Sequence, residues 1–547
     1  MQIASSDNRL WWQDGVIYQI YPRSFADANG DGVGDLRGII AHLDYLNDGT
    51  PDSLGVDAIW LSPIYSSPAF DFGYDVSDYC AIDPLFGTMD DFDELLREAH
   101  RRGIRVIMDL VLNHTSHRHP WFVESRAGRD NPRRDWYIWR DSRTSRRPPN
   151  NWQSVFGGPA WTWDETTGQY YLHSFLPEQP DLNWRNPQVR QALLDVVRFW
   201  LDRGVDGFRL DVCDRYYKDE QLRDNPFKPG LRAYDRQRRL YNIHQPETHD
   251  ALKMMRRHLD EYPERMAVGE VEQDKALHYY GDNSDELNLV FNFAFLSCPW
   301  RAGCFDRVIA AWEEALSPGD WPCWTLSNHD VTRHYSRYAA GPQTESRARV
   351  AAALLLTLRG TPFLYYGEEI GMRQGRLRRS QILDPPGRRY WPLYKGRDGV
   401  RTPMQWDDTP IAGFSSGQPL KPWLPVNSDY PQVNVAAQRD DPGSLLTFYR
   451  QLVWLRKRTP ALRYGDYRPL LARPTDALAF LRQTGSQTVL VLLNFSHHTT
   501  HLVLDAGPPL PAASWQTLFD TGGWPSQVTL TAPLTLSPHQ VTILQAT

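Results

Sequence analysis

Cysteine is scarce in this chain. Five thiols, Cys80, Cys213, Cys298, Cys304 and Cys323, are spread over 547 residues. So odd and thin a set is not a disulfide framework; buried or half-buried free thiols are expected. A dominant charge is lacking too: 60 Lys and Arg stand against 66 Asp and Glu, for a net charge of −6. That balance gives no reason to expect a nucleic acid or other polyanion as partner. The basic run Arg143-Thr144-Ser145-Arg146-Arg147 leads into Pro148 and Pro149 and reads as a solvated loop. No unbroken apolar run is long enough to span a bilayer. Met1 to Gln13 shows no basic start followed by an apolar stretch. A soluble, cytoplasmic protein without a membrane partner is expected. No His/Cys spacing suggests zinc. No Gly-rich phosphate loop follows a first strand, which disfavours an open dinucleotide-binding sheet.

Apolar residues make up 41% of the chain, enough for a large core, and the length suits two or three domains. Aromatics are plentiful, with 21 Trp and 26 Tyr. Much of that is core, but flat rings with polar edges also suit the apolar faces of sugars.

One unit recurs. Met89 to Arg102 reads as an amphipathic helix closed by Gly103, followed by a strand over Ile104–Met108 that ends in Asp109. Pro187 to Arg203 reads as a second helix, with Asn186 as N-cap and Val189, Leu193, Val196, Val197, Trp200 and Leu201 on one face. Gly204 then takes the left-handed turn, and a strand over Val205–Leu210 runs into Asp211. Val56–Leu61, Trp324–Leu326 and Thr361–Tyr366 are further strands. Helix, Gly, buried strand and polar tip, repeated over hundreds of residues, predict βα units closed into a parallel barrel. Three excursions interrupt the rhythm, at 114–183, 214–264 and 373–440. Insertions at strand C-termini build barrel active sites. From about Leu462 the pattern turns to short period-two strands, an all-β domain.

Asp211, Glu270 and Asp330 each follow a short apolar run, where a barrel strand would end. Carboxylates so placed converge on one pocket. Glycoside cleavage needs one as nucleophile or base and one as acid; a third can grip hydroxyls. Taken alone, a strand-end Asp such as Asp211 is also a candidate helix N-cap. Arg209, on the same strand face as Asp211, would hold Asp211 ionised.

In order along the chain stand Asp109-Leu110-Val111-Leu112-Asn113-His114, Gln179-Pro180-Asp181-Leu182-Asn183, Gly207 to Val212, Val268 to Val271, Ser327 to Asp330, and Arg401-Thr402-Pro403-Met404-Gln405-Trp406. Together these blocks resemble glycoside hydrolase family 13, the α-amylase family, in its α-glucosidase and oligo-1,6-glucosidase branch. The resemblance implies an α/β fold: a (β/α)8 TIM barrel over 1–113 and 184–461, an inserted irregular domain after strand 3 over 114–183, and a C-terminal all-β sandwich over 462–547. It implies a retaining double displacement, with Asp211 as nucleophile, Glu270 as acid then base, and Asp330 stabilising the distorted ring. Glu270 should stay protonated near neutrality while Asp211 is ionised. His114 and His329 match histidines that hydrogen-bond the sugar. Tyr74 would stack on the ring. Asp75 and Arg401 would close the pocket round the non-reducing end; an ordinary structural ion pair is the alternative. Phe156 and Phe175 would add apolar wall, or pack in the core.

Asp27-Ala28-Asn29-Gly30-Asp31-Gly32-Val33-Gly34-Asp35 alternates oxygen donors, which suits Ca²⁺ or Mg²⁺. Gly38 stands where an EF-hand needs an acid, so this is not one. The resemblance makes Asp27, Asn29, Asp31, Asp35 and the Val33 carbonyl the ligands of a structural ion; an Asx-turn cluster without metal is the alternative. No cofactor is implied for catalysis.

The expected activity is removal of single terminal glucose units from short soluble oligosaccharides, with transglucosylation as a side reaction, by a monomer or weak homo-oligomer. Val212 after the nucleophile and the Gln179 block resemble the α-1,6 enzymes. Asn328 to Arg333 looks more like the maltose-cleaving ones, and the choice falls on α-1,4. A trehalose synthase or sucrose isomerase is the second reading, and a decayed transporter-associated subunit the third.

Overall fold

The computed structural model describes residues 9–547 apart from 145, 416–420, 474–475, 506–511, 513 and 531–532. Residues 1–8 of the N-terminal segment and Ser145 of the basic run lie outside the described residues.

Eight strands carry the larger part: β1 Ile17–Ile20, β2 Ala58–Leu61, β3 Arg105–Leu110, β4 Gly207–Leu210, β5 Met266–Gly269, β6 Leu289–Val290, β7 Cys323–Thr325 and β8 Thr361–Tyr365. They hydrogen-bond in the order β6-β5-β4-β3-β2-β1-β8-β7, every pair parallel. The last pair thus returns to the first strand. One apolar cluster collects Ile17, Trp60, Ile107, Val268, Leu289, Cys323 and Phe363. Side chains from so many strands meet only if the sheet wraps round a common axis, so this is a barrel with a packed interior.

Helices alternate with the strands: α1 Leu36–Ala41, α2 Met89–Arg101, α3 Pro187–Asp202, α4 Glu247–Leu259, α5 Ala302–Ala315, α6 Thr344–Thr357 and α7 Leu445–Arg458. The predicted caps are in place. The Asn186 side chain accepts from the Gln188 amide, and Gly204 sits at φ 102°. The six residues expected on the inner face of α3 are all buried. Two strands, β1 and β6, were not foreseen: Ile-Tyr-Gln-Ile is buried along its whole length and β6 is two residues long, so neither shows a period. β3 also runs on to Leu110, which puts Asp109 inside a strand rather than at its end.

The excursion after β3 is less irregular than expected. It holds a helix, Pro120–Ala127, and a three-stranded antiparallel sheet of Trp139–Arg140, Gln169–Leu172 and Trp161–Asp164, over its own cluster of Trp152, Trp161, Tyr170 and Leu172. Near its tip, Arg143 pairs with Asp224 at 3.1 Å in an exposed loop, as the basic run predicted.

Past Tyr464 the chain forms one antiparallel sheet of eight strands. Strand Asp466–Arg473 pairs with Ala477–Gln483 through its first half and with Thr500–Asp505 through its second. The sheet turns a corner there, enclosing Leu481, Leu490, Leu502, Trp515 and Leu544. Folded over that enclosed core, the sheet makes the two layers of the expected all-β domain. Its other face packs Phe480, Val491 and Ile543 against the barrel core. Two buried arginines finish α6. From α7, Arg456 donates to the carbonyls of Leu356 and Leu358 at 3.0 Å and of Gly360 at 2.6 Å; from the bent sheet, Arg482 donates to Thr357 O at 2.5 Å.

Candidate active site

Strand register brings two of the three acids together. Leu210 of β4 lies level with Gly269 of β5. The next residues, Asp211 and Glu270, therefore emerge at the same height on adjacent strands. The Asp211 amide still donates to Leu110 O at 3.1 Å, and the Glu270 amide to Leu210 O at 3.0 Å, so both stand on rigid backbone. Asp330 comes from the loop after β7, where the Asn328 side chain accepts from the Asp330 and Val331 amides at 2.9 Å. All three line one cavity of about 260 Å³, together with Asp71, Tyr74, His114, Val155, Phe156, Phe175, Val212 and Arg397. Each excursion supplies wall: Val155, Phe156 and Phe175 from the first, Arg215 and Arg232 from the second, Pro386, Tyr394 and Arg397 from the third.

Arg209 binds three carboxylates, not Asp211 alone. Its Nη1 donates to Asp109 and to Asp211, each at 2.7 Å, and its Nη2 contacts Glu270. Burial pushes Asp211 and Glu270 up to about 7 each, against the pull of Arg209. The pair thus shares one guanidinium rather than having the unequal surroundings expected. Carboxyls raised in this way can keep an acid protonated near neutrality, which the leaving-group step requires. Asp330 differs. Burial works against its charge, but the His329 ring and the guanidinium groups of Arg397 and Arg401 hold its carboxyl well below the usual range. Burial drives His329 down to about 3, so at pH 7 that ring is neutral and the arginines carry the attraction.

Two expected pocket residues lie elsewhere. Asp75 is fully buried and accepts from the Phe70 and Asp71 amides and from the Ser67 hydroxyl; it ties a loop behind the wall. Arg401, also fully buried, donates to His329 O at 2.9 Å and to Asp330 at 2.8 Å, so it anchors Asp330 from behind. The ion pair in the cavity is Asp71 with Arg397, at 2.6 Å, and Arg397 also binds Asp384 at 2.7 Å. Each stands four positions before the residue expected, just ahead of the stretch that was read. A second acidic or basic residue so near in the chain was the available signal.

Tyr74 lines the cavity and stacks on His329, with ring centroids 5.5 Å apart; its hydroxyl meets His329 Nε2 at 2.7 Å. His329 sits one layer back, its Nδ1 held by Gln19 at 2.8 Å. His114 does face the cavity, and its Nε2 meets Gln179 at 3.1 Å. Phe156 and Phe175 pack edge to face at 5.5 Å within the wall. Val212 takes a left-handed conformation, φ 35° and ψ 47°, which turns its amide to Glu270 at 3.3 Å.

The loop at 27–35 is held by its own backbone. Asp27 accepts from Gly30 and Gly32, Asn29 from Asp31, Asp31 from Val33, and Asp35 from Ala28, Asn29 and Gly38. Among the described residues no group of three or more His, Cys, Asp or Glu gathers as a metal-holding set, so the ion expected there is not shown. Among them, too, no helix is long and apolar enough to cross a membrane.

Comparison with known proteins places this geometry. Residues 19–465 match the family model of the alpha amylase catalytic domain. A probable alpha-glucosidase of Rhizobium meliloti is 47% identical over 508 residues, spanning 89% of this chain and 90% of the relative. An oligo-1,6-glucosidase of Parageobacillus thermoglucosidasius is 42% identical over 524 residues, spanning 90% and 91%. A crystal structure of an alpha-glucosyl transfer enzyme superposes with a TM-score of 0.90 at 44% identity, covering 99% of this chain and all of that one. With a matched model over most of its length and relatives well above the identity that marks common descent, this chain belongs to the α-amylase family and is a glycoside hydrolase.

Proposed function

We propose that the protein is a retaining exo-α-glucosidase that removes single non-reducing glucose units from short oligosaccharides. The observation that carries this reading is one small cavity holding three carboxylates and closed by the Asp71–Arg397 pair. Asp211 attacks the anomeric carbon, and Glu270 protonates the leaving oxygen and then deprotonates water. Asp330, kept ionised by its arginines, binds ring hydroxyls as the oxocarbenium character develops. The Asp71–Arg397 pair takes the outer hydroxyls of the terminal glucose and leaves no room for a preceding unit. Tyr74 supplies a flat wall and His114 a hydrogen bond. We take the linkage to be α-1,4. The segment Asn328 to Arg333 supports that choice; the probable alpha-glucosidase relative carries no linkage in its name, and the oligo-1,6-glucosidase relative opposes it. Initial rates on maltose and isomaltose test it: maltose should be the faster substrate, and a faster isomaltose reaction would reverse the assignment. A second reading, glucosyl transfer to a sugar or alcohol, draws on the likeness to a transfer enzyme. It predicts that transfer products outlast released glucose when acceptor is plentiful.

Closure by Asp71 gives a sharper test. Asp71→Ala should lower kcat/KM on maltose by roughly 100-fold or more, because a desolvated ionic hydrogen bond to substrate and the partner of Arg397 are lost together. Asp75→Ala should mainly lower Tm. Similar kinetic loss in both variants, with Tm unchanged, would remove the distinction.

For the loop at 27–35 we propose Ca²⁺ as occupant, held by Asp27, Asn29, Asp31, Asp35 and the Val33 carbonyl, an all-oxygen set suited to a hard cation. Chelation should then lower Tm by a few degrees, roughly the effect of losing one to two kcal/mol of bound-ion stabilisation, while leaving kcat on maltose unchanged. Elemental analysis that finds no divalent ion, with Tm unmoved by chelator, would leave the loop to its backbone hydrogen bonds.

A further inference from the structure

The segment after β8, from Arg373 to Arg401, carries nine Lys and Arg against two Asp, in a chain whose acids outnumber its bases. Only part of that charge serves the glucose pocket. Beside it, on the outer side of the same segment, lies a groove of about 970 Å³. Arg373, Arg376, Arg378 and Lys395 line it, and no Asp or Glu does. Elsewhere in the molecule arginines are commonly engaged by carboxylates. Among the described residues that line this groove, Arg373 alone has one, Asp429, at 3.6 Å. Arg378 reaches only the Gln381 amide oxygen, at 3.4 Å, and Lys395 lies over the Trp391 ring at 5.8 Å.

A second feature points the same way. α6 begins at the groove, with Gly341 and Thr344 in its wall. Its N-cap is Gln343, and no side chain caps its first turn. The acid of that turn, Glu345, is bound to Arg349 at 2.6 Å. The start of this 14-residue helix, entered through the single turn Gly341–Gln343 whose first carbonyl takes the Thr344 amide, thus stands in the wall of the groove lined by four cationic side chains. Helix N-termini and arginine forks are both suited to binding phosphate. The groove is larger than an inorganic anion needs, and Tyr335, Leu377 and Ile382 give it an apolar side.

We propose that this groove binds a small organic phosphate, with the phosphate among Arg376, Arg378, Lys395 and the start of α6, and the organic body against Tyr335, Leu377 and Ile382. Its occupancy is felt at the glucose pocket. Lys395 and Gly396 line the groove, and the next residue, Arg397, is the one that closes the glucose pocket onto Asp71. A ligand that draws on Lys395 shifts the resting place of Arg397, and so alters KM more than kcat. That last step rests on the α-glucosidase reading; binding in the groove does not.

The test uses the full chain, with glucose 6-phosphate, inorganic phosphate and glucose as probes in calorimetry and thermal melts. Glucose 6-phosphate should bind and raise Tm by about 2 °C or more at a hundredfold excess over Kd. Inorganic phosphate should bind at least about tenfold more weakly, because it lacks the apolar contact. Glucose should leave the groove signal unchanged. Binding should weaken as salt rises from about 0.05 to 0.5 M. In R376E/R378E, two exposed positions, glucose 6-phosphate affinity should fall by about tenfold or more, while kcat/KM on maltose without phosphate stays as in the parent. Equal affinity for the two phosphates would reduce the site to a bare anion site and overturn the organic part. No binding at 10 mM (roughly the weak end of specific small-ligand affinity), or unchanged binding in the double variant, would overturn the whole. Loss of hydrolysis on every glucoside, with binding intact, would sink the catalytic reading and spare the groove.

Discussion

Asp211→Ala is expected to lower kcat/KM on an aryl α-glucoside by roughly 10⁴-fold or more, the usual scale for deleting a covalent nucleophile. The shortened side chain leaves a space below the anomeric carbon, beside a guanidinium that has lost one of three partners. Azide can enter that space. Attack from there inverts the centre, so the rescued product should be β-glucosyl azide, which a parent enzyme working by double displacement does not form. The pH profile carries a further signature. In the parent, activity rises as the Asp211–Glu270 pair gives up its first proton and falls as it gives up the second, with both carboxyls drawn towards about 7. In the rescued variant the rise set by Asp211 should disappear, leaving the fall as Glu270 deprotonates. Stability should move the other way from activity. A carboxyl whose pKa is raised in the folded state binds protons more readily there than in the unfolded chain. Its contribution is therefore lost as pH rises from about 4 to about 7. Removing Asp211 lifts that burden, so above pH 7 the variant should be at least as stable as the parent. Undiminished hydrolysis in the variant, or an α-configured azide, would end the assignment of Asp211.

Arg209→Ala should be the most damaging change outside the three acids. Asp109 and Asp211, both almost without exposure, would lose their cation at once, and Glu270 with them. Stranding buried charges in this way costs about 3–5 kcal/mol, and kcat should fall roughly 10³-fold through lost electrostatic organisation. The sign with pH is definite. Without the guanidinium the carboxyls rise further, so the penalty is full at pH 8 and shrinks on acidification towards 5 as they take up protons. Arg209→Lys keeps the charge but not the fork, and should fall between. Thermal unfolding at the two pH values, with kcat in parallel, measures all of this. An equal stability loss at both would show that the three carboxyls do not share this cation.

The sequence was most readable where a local rule and the tertiary structure agree. The inner face of α3, its Asn186 cap and the left-handed Gly204 depend on neighbours three to four positions away, and all were legible. Strands β1 and β6 were not, since complete burial erases alternation and two residues have no period. In the site, strand-end position located Asp211 and Glu270 correctly on one cavity, because register alone sets their height. Closure of that cavity depends on how two irregular loops fold. There the segment 71–75 offered two carboxylates, and the segment 397–401 two cations. Spacing could not tell a side chain that faces the cavity from one that faces its own loop. The sharing of Arg209 was hidden for a related reason: Asp109 is opposite it only across the ladder, a hundred residues away.

The ends of helices usually look after themselves, with glycine or water. α6 does not: its terminal carbonyls are met by Arg456 and Arg482, the second of which belongs to the bent sheet. The enzyme's two halves are thus joined by more than contact area. Translation must pass Arg482 before the helix of the seventh βα unit has both of its arginines. A gene cut at position 461 would therefore yield an unfinished catalytic body rather than a smaller one, and the C-terminal sheet could not be exchanged for another module unless that module brought its own buried cation.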